Sequence, residues 1–159
     1  MDRVKAAIFS SLGDKVVGAR VLDLFAGAGG LGIEALSRGA ARAVFIESSR
    51  NAAKAIERNL TIAGVKGRVY VRDVFRYIET ATEVFEIIFA DPPYDAAPGG
   101  KAFTDLLLKN PRIPQLVAAE GVFVLEKRPR ERLPESASWN ITRVRRYGAT
   151  EVIFAELQR

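Results

Sequence analysis

The chain has 159 residues, of which 48% are hydrophobic and 27% are charged, as in an ordinary globular domain. It contains no cysteine and no histidine, which excludes disulfides, thiolate nucleophiles, imidazole bases and the usual zinc sites. The formal charge of +5 favours a polyanionic partner such as nucleic acid, although a solvated basic surface would have the same charge.

The sequence has no segment typical of membrane insertion or export. No run approaches the roughly 18 apolar residues that a membrane span requires, and no secretory signal opens the chain. We therefore expect a single cytoplasmic domain that covers residues 1–159.

Hydrophobic periodicity predicts helices and strands in alternation along the first part of the chain. Asp2 can cap a first helix that Gly13 ends, and Ser48 or Ser49 can cap a later helix that Gly64 ends. The predicted order after the first helix is strand 21–24, helix 31–36, strand 43–47, the helix between the Ser48/Ser49 cap and Gly64, strand 68–73, helix 75–80 and strand 85–90.

The second part of the sequence predicts that the alternation of helices and strands ends in an antiparallel hairpin. Helical segments at 102–110 and 113–119 precede a strand at 121–126, and a basic loop then leads to a hairpin of strands 139–147 and 150–157. Strands that alternate with helices favour a parallel sheet covered on both faces. We therefore predict an α/β fold, a Rossmann-like doubly wound, mostly parallel seven-stranded sheet with a C-terminal antiparallel hairpin.

A glycine-rich turn follows the first strand. The spacing Gly27-x-Gly29-x-x-Gly32, with Glu47 about twenty residues after Gly27, fits the weak dinucleotide fingerprint. Asp23 discriminates between ligands, because its carboxylate would repel a diphosphate in a partly desolvated cleft. It suits a cation with an amino group and a sulfonium, such as S-adenosylmethionine. Alternatively, Asp23 only caps the turn.

Acidic residues end each of the first four predicted strands, and the carboxyl ends of parallel strands share one edge of the sheet. Glu47 is placed to accept both ribose hydroxyls, and Asp73 to accept from the adenine amine. Each could instead be a solvated acid, and four carboxylates also suggest a magnesium site, which the adjacent glycine turn makes the poorer interpretation. The predicted cofactor contacts are Asp23, Phe25, Gly27, Gly29, Glu47, Ser48, Asp73 and Val74.

A second motif, Asp91-Pro92-Pro93-Tyr94, follows the fourth predicted strand. The prolines fix the backbone, so the Asp91 carboxylate and the Pro92 carbonyl can accept both hydrogens of an exocyclic nucleobase amine. Tyr94 offers a ring for the base to stack on. The alternative is a stiff turn that only closes the strand.

These motifs carry a family resemblance. Asp23-Leu-Phe-Ala-Gly-Ala-Gly29 together with Asp91-Pro-Pro-Tyr94 resembles the class I S-adenosylmethionine-dependent amino-methyltransferases. The chain is most similar to the RsmD family, which methylates the exocyclic N2 of one guanine in bacterial 16S ribosomal RNA. Asp2-Arg-Val-Lys-Ala-Ala-Ile-Phe9, residues 31–40 and Tyr147-Gly148 also resemble that family.

The resemblance implies a reaction and a set of partners. We expect Asp91, Pro92 and Tyr94 to be catalytic, S-adenosylmethionine to be the cofactor, and ribosomal RNA or the 30S particle to be the substrate of a monomer without a metal. The family usually begins with a basic segment upstream of the first helix that contributes to RNA binding. We expect that segment to be missing here.

Basic residues are predicted to border the crevice. Lys101, Lys127, Arg128, Arg130 and Arg132 follow or flank the last elements of the parallel sheet. They could hold RNA phosphates, or they could form a solvated basic loop.

Three other functions fit part of the sequence. An N6-adenine DNA methyltransferase would meet the same amine, but such enzymes usually carry a separate target-recognition region. A cofactor-binding module without catalytic activity would keep the glycine turn alone. A nicotinamide dehydrogenase is the third, and Asp23, the absence of a substrate domain and the Asp-Pro-Pro-Tyr motif count against it.

Overall fold

A computed structural model of the protein describes residues 2–93 and 102–158. Its strands are β1 Arg20–Leu24, β2 Arg42–Glu47, β3 Arg68–Val71, β4 Phe85–Ala90, β5 Val117–Lys127, β6 Trp139–Tyr147 and β7 Thr150–Leu157. Its helices are α1 Arg3–Leu12, α2 Gly30–Ser37, α3 Arg50–Ala63, α4 Val74–Thr80, α5 Phe103–Leu108 and α6 Ile113–Leu116. A short 3-10 turn, Gly13–Val16, follows α1.

The strands form one seven-stranded sheet in the order β3-β2-β1-β4-β5-β7-β6. The first five strands are parallel, and β7 lies antiparallel between β5 and β6. The chain reverses direction across the sheet between β1 and β4, where ligands of doubly wound folds bind. This architecture confirms the predicted Rossmann-like sheet with its antiparallel hairpin.

Side chains of each strand alternate between two hydrophobic cores. In β1, Val21 packs on the face covered by α1, α2 and α3, whereas Leu22 packs on the face covered by α4, α5 and α6. Both residues are fully buried, as expected for a sheet that helices cover on both faces. The longest described helix, α3, has 14 residues, and none of the described helices has the length and apolarity to cross a membrane.

Two predicted boundaries are wrong. The helix expected at 113–119 ends at Leu116, and β5 begins at Val117, which pairs with Phe85 of β4. The alanine-rich sequence favours a helix locally, but pairing with a buried strand outweighs that weak propensity. The strand expected at 68–73 ends at Val71, because Asp73 turns the chain and caps α4.

A register shift interrupts the pairing of β4 and β5. Ile87 pairs with Val122 although Phe85 pairs with Val117, so the chain around Glu120 and Gly121 forms an irregularity in β5. Glu120 has a positive φ of 52°. A side chain at Gly121 would lie 2.9 Å from the carbonyl oxygen of Glu86. Glycine therefore permits the close approach of the two strands.

Candidate active site

The glycine turn between β1 and α2 is held by a carboxylate from β2. Gly27 and Gly29 have positive φ angles of 59° and 86°, which favour glycine. Glu47 Oε1 accepts a hydrogen bond from the Gly27 amide at 2.8 Å, and its Oε2 accepts from the Ser49 amide at 2.8 Å. Glu47 therefore links the turn to the start of α3, and its remaining lone pairs can still accept hydroxyl donors.

Asp23 lies beneath this turn. It is only 2% exposed, and its Oδ2 accepts a hydrogen bond from the Gly32 amide in the first turn of α2 at 3.0 Å. A Cβ at Gly32 would lie 2.4 Å from the Phe45 ring and 3.2 Å from Asp23 Oδ2. The bond to Gly32 is the capping interaction considered from the sequence, and Asp23 also lines a cavity.

That cavity, of about 200 Å³, opens at the carboxyl ends of the central strands. It collects residues from β1 and the turn, from the end of β4, from the end of β5 and from the start of α1. It is lined by Asp2, Val4, Lys5, Asp23, Phe25, Ala26, Gly30, Leu31, Asp91 and Glu126. Four of these residues are acidic and one is basic, so the cavity favours a cationic ligand.

Burial and mutual repulsion perturb three of the acids. Burial raises the pKa of Asp23 to about 8, although the Gly32 amide opposes the shift, and nearby Asp91 and Glu47 add to it. Burial also raises the pKa of Glu126 to about 8, with added repulsion from Asp91, Asp2 and Asp23. The residue Asp91 is exposed, yet burial of its carboxyl and the proximity of Asp2 raise its pKa above the ordinary value. A positive charge in the cavity would favour the ionised form of all three.

The acids do not form a metal site in the described structure. Among residues 2–93 and 102–158, no three side chains of the acidic, histidine or cysteine type are arranged to hold a metal ion.

The Asp91 motif directly follows β4 at the cavity. Asp91 lines the cavity, Pro92 is buried behind it, and Pro93 is exposed. Tyr94 and Lys101, predicted to stack on a base and to bind RNA, lie outside the described residues. The carboxylate and the proline backbone of the predicted amine site are thus brought to the same edge as Asp23.

The predicted adenine contacts lie beside an aromatic cluster. Asp73 Oδ2 accepts from the Arg76 amide at 3.1 Å and caps α4, and Val74 is buried. Phe25 has a positive φ of 56° and packs edge-on against Phe75 and Phe103, with ring centroids 6.3 and 5.4 Å away. This strained backbone at Phe25 sits directly between β1 and the glycine turn, where function is a common reason for strain.

Lys127 does not contribute to an exposed basic surface. Its side chain is only 1% exposed, and its ammonium pairs with Glu151 at 3.0 Å. The same ammonium donates to the carbonyl oxygens of Arg128 and Glu131 at 2.8 and 2.6 Å. We therefore correct the sequence-based assignment of Lys127 as an RNA contact, because its charge is buried and compensated.

The other predicted basic residues of this segment are exposed. Arg128, Arg130 and Arg132 lie in the loop between β5 and β6. Lys127 holds the carbonyl groups of this loop at the carboxyl edge of the sheet, the edge at which the cavity opens. Ser48 is also exposed, next to Glu47, and it is Ser49 that caps α3.

Seven of the ten residues that line the cavity were not predicted as site residues, and Glu126 and Lys5 are two of them. Glu126 is the last residue but one of β5, and the rule that found acids at the ends of the first four strands would also have found it. Lys5 lies in the first half of α1, and a Cβ on Gly30 would lie 3.9 Å from its ammonium nitrogen. Only the packing of α1 against the turn brings Lys5 into the site.

A larger groove lies at the opposite edge of the sheet. It has a volume of about 680 Å³ and is lined by residues from the start of β5, the start of β6 and the end of β7, including Glu120 and Glu156. It faces the amino ends of the parallel strands, away from the glycine turn. The smaller cavity is therefore the candidate active site.

Comparison with known proteins identifies relatives with the same fold. The family described as "Conserved hypothetical protein 95" matches residues 1–156. "Putative rRNA methyltransferase YlbH" of Bacillus subtilis is 38% identical over 157 residues, covering 95% of this chain and 83% of that protein. "Ribosomal RNA small subunit methyltransferase D" of Escherichia coli K12 is 38% identical over 94 residues, which cover 58% of this chain and only 48% of that protein.

A solved structure confirms the similarity along the whole chain. "Putative methyltransferase yhhF" of Escherichia coli superposes with a TM-score of 0.84 at 28% identity, covering 100% of this chain and 88% of that one. The match includes the glycine turn and the Asp91 segment that form the cavity. The chain therefore belongs to the family described as "Conserved hypothetical protein 95", the RsmD-like methyltransferases.

Proposed function

We propose that the protein transfers a methyl group from S-adenosylmethionine to the exocyclic N2 amine of a guanine in small-subunit ribosomal RNA. The observation that carries this proposal is the joint placement of Asp23 and Asp91 in one cavity beside the glycine turn. The relatives named rRNA methyltransferases support the RNA substrate class. The choice of guanine N2 rests on the resemblance to the RsmD family.

The described residues fit the cofactor. Gly27 and Gly29 have the positive φ angles that the tight turn requires, and Glu47 is fixed where it can accept ribose hydroxyls. Asp23 is proposed to complement the ammonium and sulfonium charges. Phe25 and Ser48 are proposed to contact the cofactor, and Asp73 with Val74 to contact its adenine. When bound, S-adenosylmethionine supplies a methyl group on a positively charged sulfur.

Asp91 and Pro92 are proposed to act on the target amine. The carboxylate and the carbonyl accept its two hydrogens, which leaves the nitrogen lone pair free to point at the methyl donor. Asp91 then stabilises the positive charge that develops on nitrogen, and the proton leaves to Asp91 or to solvent. The ring of Tyr94 would stack on the guanine once the base leaves its own stack.

The partners are proposals of the same kind. We propose that the exposed Arg128, Arg130 and Arg132, with Lys101, hold RNA phosphates, and that the substrate is ribosomal RNA or the 30S particle. A ribosomal substrate implies a cytoplasmic protein, which we propose to be a monomer without a metal.

Nucleoside analysis tests the proposal. The protein is incubated with labelled S-adenosylmethionine and naked ribosomal RNA, 30S particles or duplex DNA, and the nucleosides are identified by mass spectrometry. We expect labelled N2-methylguanosine from a ribosomal substrate. N6-methyladenine in the DNA would instead support the adenine alternative, and cofactor binding without transfer would support an inactive cofactor-binding module.

The role of Asp91 gives the first mutational prediction. Asp91→Ala should lower turnover by about 100-fold or more while changing the dissociation constant of S-adenosylhomocysteine by less than about threefold, because Asp91 acts mainly in the transition state. Turnover is measured on the substrate found above and affinity by calorimetry. Equal losses in both quantities would contradict the role.

A further inference from the structure

Glu126, near the end of β5, lines the same cavity as Asp91 of the predicted amine site. Ala90, the last residue of β4, pairs with Leu125 of β5, so Asp91 and Glu126 are the next neighbours along two adjacent strands. Neighbouring strands are about 4.8 Å apart. Phe89 and Val124 pack in the same core, and the alternation of side chains brings Asp91 and Glu126 to that same side, where both line the cavity.

The chemistry of guanine matches two adjacent acceptors. On its Watson–Crick edge, guanine presents the N2 amine and, beside it, the N1–H as hydrogen-bond donors. Adenine presents an acceptor at N1 beside its N6 amine. A carboxylate next to the amine site therefore distinguishes the two bases, because it bonds the N1–H of guanine and repels the N1 lone pair of adenine.

We propose that Glu126 accepts a hydrogen bond from the N1–H of the target guanine and so makes the site specific for guanine. This inference rests on the proposed function, since it requires that Asp91 binds the amine of the base. Each of the three acids then has a separate role. Asp23 faces the cofactor, Asp91 binds the reacting N2 amine of the guanine, and Glu126 binds the adjacent N1–H.

We expect the carboxyl group of Glu126 to ionise when the cofactor and the guanine bind. Burial and the facing acids Asp91, Asp2 and Asp23 raise its pKa to about 8, and Lys5 of α1 is a basic residue that lines the same cavity. An N1–H donor and a cationic cofactor both favour the carboxylate form. A glutamine at position 126 would stay neutral. Its side-chain carbonyl would keep an acceptor for the N1–H, and its NH2 group would add a donor.

The test uses a base analogue. 2-Aminopurine keeps the N2 amine of guanine but has a bare acceptor at N1. The RNA segment in which the wild-type protein installs its methyl group is prepared with guanine or 2-aminopurine at that position. Rates of transfer are compared for the wild type, Glu126→Gln, Glu126→Ala and the exposed control Glu57→Gln on α3, all at neutral pH, where guanine keeps its N1–H.

The ratio of the two rates decides the outcome. We expect the preference of the wild type for guanine over 2-aminopurine to fall by about 10- to 100-fold in Glu126→Gln, the size of one charged hydrogen bond. Glu126→Gln should also methylate the 2-aminopurine RNA faster than the wild type does, because the glutamine amide can donate a hydrogen bond to N1. Glu126→Ala should show no such increase in rate, since alanine has no donor. Glu57→Gln should keep the wild-type ratio.

Failure of this inference is distinguishable from failure of the proposed function. If the wild type methylates guanine but Glu126→Gln slows both RNAs equally, Glu126 has only a structural role and the inference is overturned. If the variant instead loses affinity for S-adenosylhomocysteine with an unchanged ratio, Glu126 belongs to the cofactor site, which also overturns it. If the wild type methylates no guanine at all, the proposed function is wrong.

Discussion

Gly32 and Asp23 determine each other's placement at the centre of the site. The Gly32 amide reaches the buried Asp23 carboxylate because no side chain separates α2 from β1 and Phe45. Gly32 therefore permits the hydrogen bond to Asp23 as well as the glycine turn itself. Its role differs from that of Gly30, two residues earlier in the same helix, which faces the cavity.

A pair of matched substitutions tests this placement. Gly32→Ala should lower the free energy of unfolding by about 1–3 kcal/mol, because its Cβ would overlap the fully buried Phe45 ring at 2.4 Å. Gly30→Ala should leave stability unchanged or raise it by about 0.4–1 kcal/mol, since only the end of Lys5 lies near. Urea unfolding of both variants measures the difference. Equal stabilities would show that the ring yields to the added methyl group.

The raised pKa values predict a cost in stability. A carboxyl group whose pKa is higher in the folded than in the unfolded protein stabilises the fold only while it stays protonated. For Glu126 this contribution is present below its ordinary pKa of 4.5 and is lost as the pH rises through about 8. Glu126→Gln removes the ionisable group while keeping its shape.

We therefore expect ligand-free Glu126→Gln to melt at a higher temperature than the wild type at pH 8, by about 2–4 °C for each kcal/mol gained. The difference should shrink as the pH falls towards 4.5, and melting curves across this range measure it. A difference that does not change with pH would mean that the two side chains differ only in packing.

At the scale of elements, one buried ion pair organises the carboxyl edge of the last strands. Lys127 of β5 pairs with Glu151 of β7 and holds two carbonyl groups of the following loop. A second pair in β7, between Glu156 and Lys15, lies at the surface with both side chains well exposed. The two glutamates thus differ mainly in burial.

Loss of charge at the two glutamates should have unequal effects. Glu151→Gln should destabilise the fold by about 2–3 kcal/mol, because it leaves the buried Lys127 ammonium without its counter-charge. Glu156→Gln should cost at most about 1 kcal/mol, the range of exposed ion pairs. Chemical unfolding of each variant checks this. A small effect of Glu151→Gln would mean that water or a carbonyl group compensates Lys127.

At the scale of the whole molecule, exposed arginines lie at the edge of the sheet where the cavity opens. The loop after β5 carries Arg128, Arg130 and Arg132, and the β6–β7 turn at Gly148 lies at the same edge of the sheet. Together with the net charge of +5, this arrangement offers a basic surface at the edge where we propose that the nucleobase binds.

The salt dependence of RNA binding tests that surface. Each phosphate contact contributes about −0.7 to −0.9 to the slope of log affinity against log salt. The double variant Arg130→Gln and Arg132→Gln should make the slope less steep by about two such contacts. Lys66→Gln, an exposed charge beside β3 near the amino ends of the strands, is the control. An unchanged slope in the double variant would mean that these arginines are only solvated.

The sequence alone predicts most of the architecture. Glycine and cap residues mark the ends of α1 and α3, and the apolar runs give β4 with its observed bounds. The predicted positions of Asp23 and Asp91 follow from the rule that parallel strands end at one edge of the sheet. Local backbone preference and hydrophobic periodicity determine these features, and both can be read along the chain.

Only the tertiary structure decides what each charged group meets. Lys127 and Arg128 are adjacent in sequence, yet one is buried against Glu151 and the other is exposed. Lys5 and Glu126 enter the cavity because α1 and β5 pack beside β1 and β4, and strand pairing replaces the expected helix at Val117. The physical reason is that charge pairing, burial and strand register depend on contacts between residues far apart in the chain, which no local pattern records.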